Sequence, residues 1–107
     1  EFIGTTSAEA VTISGGIVTI TRGSISVTVQ TGSTDDLDTI TPNAAIGPGD
    51  GFLIVKAASS VATVVMKDGT GNLILAGDFS LTHTSDRMLL VFDGANWVEL
   101  SRSDNDT

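Results

Sequence analysis

Met88-Leu89-Leu90-Val91-Phe92, Asp93-Gly94-Ala95-Asn96, Trp97-Val98-Glu99-Leu100-Ser101-Arg102-Ser103: two strand-favouring runs flank an Asp-Gly turn. Glycine accepts positive φ without a Cβ clash and aspartate tolerates it, so an Asp-Gly pair between such runs signals a β-hairpin. The hairpin also carries the chain's only tryptophan. A lone hairpin is barely stable in water, so the remaining residues must supply what it packs against.

Upstream, period two recurs. Val11 and Ile13 alternate with Thr12 and Ser14, Gly15-Gly16 makes a turn, and Ile17-Val18-Thr19-Ile20-Thr21 runs on, which predicts another hairpin. In Ser24-Ile25-Ser26-Val27-Thr28-Val29-Gln30, Ile25, Val27 and Val29 share one face while hydroxyls and an amide take the other. From Thr31 to Gly51 the chain is rich in Gly, Asp, Thr and Pro, and Pro42 and Pro48 exclude a central strand there. A long structured loop with one short strand over Asp38 to Thr41 is expected.

The second half changes character. Phe52-Leu53-Ile54-Val55, Val64-Val65-Met66, Leu73-Ile74-Leu75 and Met88-Leu89-Leu90-Val91-Phe92 are continuous apolar runs, the pattern of strands covered on both faces. Helices could provide that cover, but no helical period intervenes; Lys56-Ala57-Ala58-Ser59-Ser60 is the only stretch resembling one. With turns at Asp68-Gly69-Thr70-Gly71-Asn72, Gly77-Asp78 and Asp93-Gly94, the expected fold is all-β: a jelly-roll-like antiparallel β-sandwich, trimeric, its outer face covered by a neighbouring subunit. No repeat at solenoid spacing is visible, which weighs against a β-helix. One domain over residues 1–107 is expected, with 1–9 as an extended arm, linker or cloning-site remnant.

Composition narrows the functions. There is no cysteine, so neither disulfides nor thiolate metal sites are available. Thirteen acids against five Lys and Arg give a net charge of −8, which repels nucleic acid and anionic lipid. Mean hydropathy is +0.27, yet no apolar run approaches the roughly 18 residues of a membrane helix. That excess of apolar surface suits a subunit interface. The start, Glu1-Phe2, shows no basic segment leading into an apolar stretch, so no signal peptide is expected.

The string from Phe92 to Ser103 resembles the closing hairpin at the C-terminus of many tailed-phage and prophage virion proteins, among them fibre, spike and head-decoration modules. The likeness is best from about Asp68 to Arg102. It implies a non-enzymatic structural protein on the virion surface: a trimeric knob of a fibre or spike, or a capsid-decorating cement protein. Its partners would be itself and other virion proteins such as the capsid or a fibre shaft, with neither nucleic acid nor membrane insertion. The alternative is a receptor- or carbohydrate-binding tip recognising a host surface glycan. The residues expected to carry assembly are Phe92, Trp97, Val98 and Leu100, with Met88 and Leu90 behind them.

Chemistry is sparse, and neither cofactor nor catalytic residue is expected. His83 lies in Leu81-Thr82-His83-Thr84-Ser85-Asp86, but sequence neighbours do not make a triad, whose members converge from separate segments. It reads as a turn residue. Asp50, Asp68, Asp78 and Asp93 sit beside glycines, where aspartate serves turn hydrogen bonds. Asp35, Asp36 and Asp38 are where calcium would sit if any metal is held, although the spacing fits no EF-hand and a wet acidic loop accounts for it. Gly47-Pro48-Gly49-Asp50-Gly51 lacks the Lys-Ser/Thr ending of a phosphate loop. Trp97 is expected in core or interface, with an exposed sugar-stacking platform as the rival reading.

Overall fold

A computed structural model describes residues 7–43 and 51–105. Among the described residues there are eleven strands and no helix: β1 (Glu9–Thr12), β2 (Ile17–Thr19), β3 (Ser24–Thr28), β4 (Thr34–Leu37), β5 (Thr39–Thr41), β6 (Gly51–Ala57), β7 (Thr63–Met66), β8 (Leu73–Ile74), β9 (Phe79–Leu81), β10 (Arg87–Phe92) and β11 (Trp97–Ser103). They form a six-stranded sheet in the order β1-β3-β6-β10-β11-β8, a pair β2-β5 and a triplet β4-β7-β9. Alternate side chains from all three sheets, such as Ile25, Val55 and Leu90 from the largest, Ile40 from the pair and Met66 from the triplet, meet in one dry core. The chain is therefore all-β and layered, an arrangement compatible with a β-sandwich.

Antiparallel pairing throughout is not what the chain adopts. Five of the eight strand pairings are parallel: β1 with β3, β3 with β6, β2 with β5, β4 with β7, and β8 with β11. Parallel neighbours need a crossover. Here strands of the smaller sheets make it, so the chain leaves β1, passes through β2, and returns as β3; it then passes through β4 and β5 and returns as β6. The register offsets are uneven, Glu9 on Ile25 and then Ile25 on Val55, so this winding leaves no sequence repeat.

That winding also corrects the first predicted hairpin. Gly15 and Gly16, both at positive φ, make a tight turn closed by reciprocal hydrogen bonds between Ser14 and Ile17. Pairing stops at that single bridge, because β1 continues along β3 and β2 along β5. The turn is a corner between two sheets, which lets Ile13 and Val18 enter the core from different layers.

The Thr31 to Gly51 stretch holds two strands where one was expected: β5, and β4, whose Thr-Asp-Asp-Leu sequence carries little β signal. Residues 44–50, including Asp50 and most of the glycine-rich Gly47–Gly51 turn, lie outside the described residues. Lys56 and Ala57 finish β6 and begin no helix.

Candidate functional site

The closing hairpin forms as its sequence implies. Asp93 Oδ1 accepts from the Ala95 and Asn96 amides at 2.9 and 2.7 Å, Asp93 N donates to Asn96 O, and Gly94 takes φ 102°. Those two amide bonds hold the Asp93 carboxyl below the usual carboxylate range. Phe92 then pairs with Trp97, their ring centroids 4.9 Å apart.

This pairing divides the hairpin. Successive side chains on a strand face opposite ways, so placing Trp97 inward places Met88, Leu90 and Phe92 inward too. All four are buried in the chain's own core. Trp97 is fully enclosed: its Nε1 donates to Ile40 O at 3.0 Å and its backbone N to Asn72 O at 2.8 Å. An indole so placed cannot stack on a sugar. Nor do Met88, Leu90, Phe92 and Trp97 offer a surface to a partner; of the six residues expected to carry assembly, only Val98 and Leu100 face outward.

The outward set is a face of the large sheet. Phe52 pairs with Val91, Val91 with Val98, and Val98 with Ile74, an apolar row across β6, β10, β11 and β8. At about 4.8 Å per strand it is roughly 14 Å wide. Beside it, Ile54 pairs with Leu89 and Leu89 with Ser101. A β-bulge follows: Leu89 opposes Ser101 while Leu90 opposes Glu99, leaving Leu100 as the extra residue. Phe52, Ile74 and Leu100 are 41%, 47% and 51% exposed. One face of the Phe52–Val55 and Met88–Phe92 runs is thus closed into the core, while the other is half-buried at Ile54, Leu89 and Val91 and exposed at Phe52. A hollow of about 290 Å³ lined by Ile54, Arg87, Met88, Leu89, Ser101 and Ser103 opens beside the row.

The bulge also places Glu99 and Arg102 together. Glu99 Oε2 accepts from Arg102 Nε and Oε1 from Nη2, each at 2.8 Å, while Nη2 also donates to Gly77 O and the guanidinium lies 4.8 Å from the Phe79 ring centroid. Arg102, helped by the Ala76 amide and opposed by burial, holds the Glu99 carboxyl below its ordinary range. This fork clamps β11 to the turn before β9.

His83 and several of the acids bond to nearby backbone and side chains. His83 Nδ1 accepts from Ser85 N at 3.0 Å. Asp68 Oδ1 accepts from Leu75 N, while Asp78 accepts from Asp68 N and pairs with Lys67 Nζ at 2.8 Å. Asp35 accepts from the Gln30 and Asp36 amides, and Asp38 Oδ1 accepts from the Thr39 hydroxyl. Asp35 and Asp36, being adjacent on β4, point to opposite faces, and no group of three His, Cys, Asp or Glu among the described residues is placed to hold a metal ion.

Asp86 was not singled out by its sequence context, yet it is the one buried charged side chain among the described residues. Its Oδ2 accepts from Thr82 N, Thr82 Oγ1 and His83 N, and its Oδ1 accepts from Asn105 N at 2.6 Å, fastening the segment after β11 to the turn before β10. Burial pushes the carboxyl up, but these four bonds outweigh it and hold it below the usual range. A depressed carboxyl stabilises the fold above its unfolded pKa of about 4 and loses that contribution as pH falls through the folded value. Urea titrations should therefore show stability falling below about pH 4, with a shallower fall in Asp86→Asn, which is already short of acceptors at pH 7. Identical acid profiles for the two proteins would assign the fall to Asp78, Asp93 and Glu99 instead.

No protein-family model, curated protein or solved structure matches the chain.

Proposed function

We propose that the chain is a non-enzymatic structural module of a bacteriophage exterior: a trimeric β-sandwich knob on a fibre or spike, or a cement protein on the capsid. Its layered β body would do the job that jelly-roll knobs do. The observation that carries this reading is the division of the closing hairpin: one set of apolar side chains closes the chain's own core, and the alternate set, Val91 and Val98 with Phe52 and Ile74, is left open as a continuous surface. Open apolar surface of that kind serves association. The likeness of Phe92–Ser103 to virion closing hairpins supplies the setting. With Trp97 enclosed, the glycan-binding alternative loses the aromatic on which it rested.

Sedimentation equilibrium at micromolar concentration should give a mass three times the chain's 10.9 kDa, and a stable monomer would overturn the assembly reading. An electron-microscopy reconstruction of the particle separates capsid lattice from fibre tip.

A further inference from the structure

The six-stranded sheet distributes charge unevenly between its two sides. Its strands carry only two carboxylates, Glu9 and Glu99. Both turn away from the open face: Glu9 accepts from the Thr21 and Arg22 amides, and Glu99 stands opposite inward Leu90 and grips Arg102. On the open face β1 and β3 contribute only Ala, Ser and Thr, while β6, β10, β11 and β8 contribute the apolar row and its neighbours. The charges that remain there, Lys56 and Arg87, are cations at one end. In a chain of net charge −8, none of the described strand residues of this sheet places a carboxylate on this side.

We infer that this face, centred on Val91, is where further copies of the same chain meet. The inference rests on the multi-copy reading above and adds the surface that makes the contact. Two chains of charge −8 repel wherever carboxylate faces carboxylate. That cost is lower on a face whose strands present none, and burial of the Phe52, Val91, Val98 and Ile74 row then supplies the attraction. Arg87 already donates to the Thr84 and Asp86 carbonyls of its own chain, while the stem of Lys56 is long enough to carry its charge clear of the apolar row, toward water or toward the acid-rich remainder of a neighbouring copy. The hollow beside Leu89 gives a protruding side chain of that neighbour somewhere to seat.

The chain's lack of cysteine allows a direct test, since any introduced thiol is unique. Ile74 on the open face and Ile17 on β2 are both strand isoleucines of similar exposure, 47% and 42%. In assembled protein, Ile74→Cys and Phe52→Cys should react with a polar thiol reagent about tenfold or more slowly than Ile17→Cys, because reaction waits for dissociation, and the protection should vanish on dilution. Val91→Lys should give a folded monomer by circular dichroism and sedimentation. If wild type is a multimer but all three thiols react alike, or Val91→Lys still assembles, this face is not the contact and the multi-copy reading survives. A wild type that is monomeric throughout overturns both.

Discussion

Trp97→Ala should cost about 3–5 kcal/mol, the range for truncating a fully buried large aromatic. A domain of this size has roughly 5–15 kcal/mol in total, so the variant should melt tens of degrees lower and be scarce as soluble protein. The reason is location more than hydrogen bonding. Trp97 is enclosed where the end of β10, the start of β11, β5 and the loop before β8 converge, against the Phe92 ring. Its indole N–H donates to Ile40 O, but that oxygen also accepts from Asn72 Nδ2 at 2.8 Å and would keep a partner after truncation. Most of the loss is therefore the cavity. Trp97→Phe keeps a six-membered ring but loses the N–H and the rest of the indole, so it should cost clearly less than the alanine variant, about 1 kcal/mol for the hydrogen bond plus a smaller cavity. Thermal and urea melts of the two variants check the ordering, and a melting temperature unmoved by Trp97→Ala would mean an indole in contact with solvent.

The elements legible in the sequence are those whose signal is local. The Asp93-Gly94 turn, the two strands beside it, the alternation through Ile25 and Val27, and the short strand over Thr39–Thr41 all declare themselves within a few residues. Parallel pairing does not, since nothing near Glu9 names Ile25 as its partner, and nothing near Thr34 names Thr63. The helix-free crossovers were hidden for the same reason. The open face was closer to hand: once Trp97 is set inward and paired with Phe92, period two sends Met88 and Leu90 to the core and Leu89, Val91 and Val98 outward. What obscured this was the continuity of Met88–Phe92, because five apolar residues in a row look alike on both faces. Asn72 was illegible because its partner Ile40 lies 32 residues away; three of the four bonds to Asp86 are local, from Thr82 and His83, and only the Asn105 amide comes from 19 residues away.

Gly71→Ala should be nearly as damaging, at about 3 kcal/mol, the upper end for forcing atoms into a packed site. The backbone at Gly71 passes so close to β5 and the residue before it that a Cβ there would overlap the Asp38 carbonyl oxygen and the Thr39 hydroxyl, and would lie 2.7 Å from the Asp38 carbonyl carbon. Backbone cannot swing aside as a flexible side chain can. This approach positions Asn72, whose backbone N donates to Asp38 O and whose side chain both accepts from Ile40 N and donates to Ile40 O at 2.8 Å, in the manner of one more strand residue. Asn72 O in turn receives Trp97 N, so a displaced loop would loosen the closing hairpin as well. Gly69→Ala separates crowding from backbone conformation: Gly69 has φ 79° and open space around it, so alanine there meets only left-handed strain of about 1–2 kcal/mol. Chemical denaturation should rank Gly71→Ala below Gly69→Ala in stability. The reverse order would mean that the loop over β5 yields readily, and that Trp97 is held by its own packing without help from Asn72.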